Sequence, residues 1–103
     1  MIYKFKSKAA GDVIMLGPNG DRVLGLIGKP PGGPGILEPQ DMPAAVVALQ
    51  TAIEADEAAR AAAVDDQDPA ARPEAISLRQ RAWPLVEMIR RAQAADEPIV
   101  WGA

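Results

Sequence analysis

The chain opens on a strict alternation. In IYKFK, Tyr3 and Phe5 fall on one side and Ile2, Lys4 and Lys6 on the other. That period of two is the pattern of a β-strand with one buried and one wet face. The lysines predict an edge position, where a charged side chain blunts pairing with further strands. DVIML, residues 12–16, continues extended and ends at Gly17-Pro18, a strong punctuator. In NGDRVLGLIG the pattern changes. Asn19-Gly20 is a hairpin signal, yet Val23, Leu24 and Ile27 stand at i, i+1 and i+4, the spacing of a helical face. The spacing favours a short helix over 19–28, with a hairpin as the alternative. Asp21 then caps its start, and Gly28 supplies the left-handed stop before Lys29-Pro30.

Glycine and proline dominate residues 28–35, GKPPGGPG, which predicts a loop, and ILEP adds two or three extended residues. The clearest amphipathic pattern follows. Asp41 suits an N-cap and Pro43 is tolerated in a first turn. Met42, Val46, Leu49 and Ile53 form a stripe at i, i+4, i+7 and i+11. The next positions on that stripe are Asp56 and Arg60, so the buried face ends near Ile53 and the Ala-rich tail runs into water. A polar connection leads to SLRQ, a capping box with Ser77 at N-cap and Gln80 at N3. Leu78, Ala82, Leu85, Ile89 and Ala92 make the second stripe, widened by Val86 and Met88. Asp96 to Pro98 end this helix, and IVW, residues 99–101, reads as a last short strand.

The predicted fold is therefore α+β, a single domain over residues 1–103 with loops at about 28–35 and 64–73. Two long antiparallel helices, about 41–60 and 77–94, accompany one short helix and a small sheet formed by the terminal strands.

Composition narrows the chemistry. The 103 residues include no cysteine and no histidine. Disulfides, thiolate nucleophiles and sulfur ligands are excluded, as are the usual neutral-pH base and the commonest metal ligand. The net charge of −3 is unevenly placed: +3 over residues 1–36, −7 over 37–75 and +1 over 76–103. That is not the single-sign field of a nucleic-acid binder. No run approaches a membrane span and no apolar stretch follows MIYKFKSK as a secretory signal requires, so a cytoplasmic protein without membrane contact is expected.

FKSKAAGDVIML, LIGK, ILEPQDMPAA and LRQRAWPLVEMIRRA followed by IVWG resemble a family of small proteobacterial proteins, catalogued as domain of unknown function 1840. The resemblance spans nearly the whole chain except residues 58–75. It implies a stand-alone bacterial cytoplasmic domain and carries no assigned activity, cofactor or catalytic residue.

Candidate chemistry is sparse. Ser7 adjoins Lys6 and Lys8, but those lysines read as solvated strand-end charges. Gly20 and Gly25 have the spacing of phosphate-loop glycines, but Leu26 and Ile27 stand where Lys and Ser/Thr are required. Asp65, Asp66 and Asp68 lack the glycine and closing glutamate of a calcium loop. Paired-carboxylate catalysis has fourteen acidic residues to draw on and no pair singled out. No catalytic residue, metal site or cofactor is expected.

The remaining feature is RQRAWPLVEMIRR, residues 79–91. Trp83 falls opposite the aliphatic stripe, among Arg79, Glu87 and Arg90, and Pro84 is expected to kink the helix or to divide off its first turn. Two readings compete. In the first, Arg79, Trp83, Arg90, Arg91 and Trp101 form a binding surface, since Trp and Arg are enriched at hot spots. In the second, which is favoured, the terminal strands carrying Tyr3, Phe5 and Trp101 cover Trp83, and four aromatics form one cluster. The function expected is a small non-enzymatic interaction or regulatory module, with an unknown protein partner or self-association. The alternative is binding of an anionic ligand or nucleic acid through the Arg-rich helix 77–94.

Overall fold

A computed structural model describes residues 2–66 and 77–102, with the side chains of 63–66 outside the described set. Among the described residues the fold is α+β, with three α-helices and a four-stranded antiparallel sheet. Strands β1 (Ile2–Ser7) and β2 (Ala10–Leu16) form a hairpin. Helix α1 (Gly17–Leu26) leaves β2 directly. After the Gly/Pro loop come β3 (Gly35–Leu37), a 3-10 turn at Pro39–Asp41 and helix α2 (Met42–Asp66). Helix α3 (Leu78–Ala94) and strand β4 (Ile99–Gly102) follow.

The strand order is β2-β1-β4-β3. The two terminal strands are thus the middle of the sheet, flanked by β2 and β3. The expected edge position of β1 is corrected: its alternation is as read, with Tyr3 and Phe5 buried and Ile2, Lys4 and Lys6 exposed, but it pairs on both sides. Side-chain alternation reports which face is wet. Pairing runs in the plane of the sheet, at right angles to that signal.

The helices lie on one face. Trp101, Phe5 and Tyr3 line that inner face, with Phe5–Trp101 ring centroids 5.6 Å apart and Tyr3–Phe5 centroids 6.2 Å apart. Met42, Leu49 and Ile53 of the α2 stripe are buried, with Ala45, while Val46 is half-buried. Leu78, Ala82, Leu85, Val86, Met88, Ile89 and Ala92 bury the stripe of α3. The start of α3 sits beside Asp56 and Glu57, and its end shares a surface recess with Pro39 and Gln40, so α2 and α3 run antiparallel.

α2 is longer than expected, reaching Asp66 rather than about residue 60. Over residues 54–62 no side chain is buried, and the helix is held there by alanine propensity, the Asp56–Arg60 pair at 2.9 Å and the bonds of Asp56 and Glu57 to α3. The rest of the connection expected at 64–73, including Asp68, lies outside the described residues.

Two helix ends follow the same design. At α1, Gly28 takes φ +80°, its N–H bonds the Gly25 carbonyl at 3.2 Å, and the Lys29 N–H bonds Leu24 at 2.8 Å. At α3, Asp96 takes φ +56°, its N–H bonds Gln93 at 3.1 Å, and Glu97 bonds Ala92 at 2.9 Å. Both are Schellman stops, one with the expected glycine and one with an aspartate in its place.

α1 starts earlier than its spacing suggested, at Gly17 with Pro18 in the first turn, so Asp21 is inside the helix and is not its cap. Its carboxylate instead accepts the hydroxyl of Tyr3, and that hydroxyl accepts the Gly32 N–H at 2.6 Å. The Gly/Pro loop is thereby fastened to β1 and α1. Gly20 allows the approach: a Cβ there would run into the Tyr3 ring.

Candidate functional site

The arginine–tryptophan helix begins as the sequence reads. Gln80 donates its N–H to Ser77 Oγ at 3.1 Å, and Ser77 donates its N–H to Gln80 Oε1 at 3.0 Å, a complete capping box. Helix α2 adds a further cap, the Asp56 carboxylate accepting the Leu78 N–H at 3.1 Å. The helix is continuous through Pro84, so no separate first turn exists. Gln80 and Pro84 are both exposed, which leaves the carbonyl that Pro84 deprives of a donor on the water side.

On this helix the structure brings Arg79, Trp83 and Arg90 together. The guanidinium of Arg79 lies 5.2 Å and that of Arg90 5.4 Å from the Trp83 ring, within cation–π range. Arg79 also pairs with Glu57 at 2.8 Å, which raises its pKa and holds the Glu57 carboxyl below the ordinary range. Arg90 stands 3.7 Å from Glu87. Arg91 is exposed in the last turn of the same helix.

Trp101 does not join them. It is 5% exposed, on the inner face of β4, against Phe5 and the backbone of Gly35. The expected cluster of four aromatics is corrected to three stacked or tilted rings, Tyr3, Phe5 and Trp101, with Trp83 half-buried and packed against the same core. The buried positions of α3 span about 160° of the helix at 100° per residue, and Trp83 falls about 60° beyond them. α2 and β2 both pack against α3 on that aliphatic arc.

The other candidates are placed as structural groups. Ser7 Oγ accepts the Ala9 N–H at 3.2 Å in the β1–β2 turn. Arg60, then the Leu78 N–H, hold the Asp56 carboxyl below its ordinary pKa. A general acid needs the opposite displacement. Asp65 and Asp66 have no described side chains.

A surface that the sequence reading passed over is the outer face of the sheet. Five of its side chains are large aliphatics: Ile2 is 49% exposed, Ile14 59%, Leu16 63%, Ile36 41% and Val100 43%. Register sets Leu16 beside Ile2, Ile14 beside Lys4, and Lys6 beside Val100, which in turn lies beside Ile36. No described element covers this face. The signal lay in VIML, residues 13–16, where both alternating sets are apolar. Such a strand is written for cover on two sides, and the helices supply one.

Fold and surface thus define a small two-layer α+β domain with one face of its sheet open. The chain matches the family model described as Domain of unknown function (DUF1840) over residues 1–101, and it belongs to that family. No curated protein and no solved structure matches it. Among the described residues, no helix is long and apolar enough to cross a membrane.

Proposed function

We propose that this protein is a small interaction module whose docking surface is the outer face of the sheet. The observation behind the reading is the set of five exposed aliphatics on a face whose strands are otherwise packed. Solvated faces of antiparallel sheets are ordinarily polar, and exposed apolar patches of this kind mark interaction sites. Lys4 and Lys6 stand among the aliphatics, with Asp12 the acidic residue nearby on β2. Charge complementarity assigns the partner: a protein surface or segment that is apolar at its centre and acidic at its rim.

The test compares retention of protein partners by the wild type, by Ile36→Asp, by Lys4→Glu/Lys6→Glu and by Trp83→Ala. The expected result is loss with the first two variants, weakening by salt, and no change with Trp83→Ala. Retention indifferent to the face variants, or binding of the wild type to anionic lipid vesicles in place of protein, overturns the reading.

The alternative, anionic-ligand or nucleic-acid binding through Arg79, Arg81, Arg90 and Arg91, has the clustering of arginines in its favour. Against it, Arg79 and Arg90 already face Glu57 and Glu87 and lie over the indole on which a base would stack.

A further inference from the structure

The two edges of the sheet differ. β3 is three residues long, preceded by Pro34 and followed by Pro39. Short length and flanking prolines are the usual means of blunting an edge. β2 is seven residues long, AGDVIML, with no proline or lysine and one charge, Asp12. Its irregular pairing with β1 is confined to the turn end, between Phe5 and Ser7, so the strand is in regular register from Val13 to Leu16. α1 leaves β2 at Gly17 and turns under the sheet, where Gly20 meets the Tyr3 ring, rather than along the edge.

A free ladder edge presents backbone donors and acceptors that only another extended strand can satisfy in sequence. We propose that the strand is β2 of a second copy, paired antiparallel about a two-fold axis at Ile14. The inference goes beyond the docking reading: it concerns the edge of the same sheet and leaves the outer face open. Centring on Ile14 sets Val13 against the partner's Met15 on the inner side and Ile14 against the partner's Ile14 on the outer side. Val13 is half-buried and Met15 only 6% exposed, so the pairing continues the existing core across the axis. Asp12 meets the partner's Leu16, which keeps the two like charges off each other. An isologous contact of this kind closes as a dimer. It yields one eight-stranded sheet and joins the two open faces into a single surface.

The experiment is the mass in solution of the full chain and of two charge variants. Ile14→Glu places an acid opposite Lys4 within the chain and opposite its own copy across the axis. Ile14→Lys does the reverse. The expected result is a wild type of twice the chain mass, each variant alone at the chain mass, and a one-to-one mixture of the two back at twice the mass. Amide exchange is expected to slow at Asp12–Leu16 as wild-type concentration rises. A wild type that stays monomeric at millimolar concentration overturns the inference, as does a dimer indifferent to both variants. Partner retention lost with Ile36→Asp in a monomeric chain ends the dimer while leaving the docking face standing.

Discussion

The carboxylate of Asp56 in α2 accepts the backbone N–H of Leu78, the first residue of α3, at 3.1 Å. One helix therefore caps another across 22 residues of chain, while the same carboxylate holds Arg60 at 2.9 Å. Asp56→Ala removes both and is expected to cost about 1–2 kcal/mol, a cap plus a charge-assisted bond. Because Arg60 and the Leu78 N–H depress the folded pKa of Asp56, its contribution is present above the usual carboxylate range. It is lost as pH falls below about 4. Asp56→Asn keeps an acceptor for Leu78 without the titration. Urea melts at neutral and acid pH check the pair: the Asn variant is expected to lie above the Ala variant, with a flatter acid limb than the wild type.

Tyr3 is the single tyrosine of the chain, so tyrosinate absorbance follows one residue. The bond to the Asp21 carboxylate, then burial, raise its pKa. The protonated form is favoured by folding. The contribution is intact below the unfolded value near 10 and falls as pH rises through it. An alkaline titration is expected to start above the free-tyrosine range and to become steep where the fold opens. Tyr3→Phe keeps the ring and loses the hydroxyl. It is expected to unfasten the loop, read as faster amide exchange at Gly32.

Asp96 occupies the left-handed position of the α3 stop, at φ +56°. Aspartate tolerates that region better than most residues, but glycine enters it without the Cβ penalty. Asp96→Gly is expected to stabilise the domain by about 0.5–1 kcal/mol, and Asp96→Val to destabilise it by more than that. Thermal melts of the three chains give the ranking.

Pro84 sits inside α3 without an N–H for the Gln80 carbonyl. Interior proline costs a helix about 3 kcal/mol in a rigid setting, and the exposed face here lets water meet the carbonyl. Pro84→Ala is expected to raise stability by roughly 1–2 kcal/mol. Gly20→Val acts in the opposite direction. A side chain on Gly20 runs into the Tyr3 ring, and overpacking of this kind costs about 1–3 kcal/mol. Both changes are checked by denaturant midpoints.

Much of this architecture was legible in the residues, and the failures share a cause. The stripes of both long helices, the Ser77–Gln80 box and the Gly28 stop are local patterns, fixed by neighbours within a turn. Strand order is not local. Lys4 and Lys6 on a wet face suggested an edge, whereas the wet face and the edge are different directions. Trp83 was expected under the terminal strands because three other aromatics lie there; the width of the aliphatic arc on α3 decided otherwise. Asp21 looked like a cap from its position before Val23, and nothing local pointed to Tyr3, 18 residues earlier. At the candidate site, the Arg79–Trp83–Arg90 grouping follows from helical spacing. The open face required combining the outward parity of four strands, and its clearest local trace was the two-sided apolar run at 13–16.

The sheet order also fixes when folding can finish. β3 reaches the β1–β2 hairpin only through β4, which is paired with Ile2–Ser7 on one side and Gly35–Leu37 on the other. On a ribosome, the hairpin and all three helices emerge before Ile99–Gly102 exist to link them. Pairing of Ile99–Gly102 with both neighbours is therefore the step that welds the sheet, and a chain in which that strand has not yet docked holds β3 apart from the hairpin.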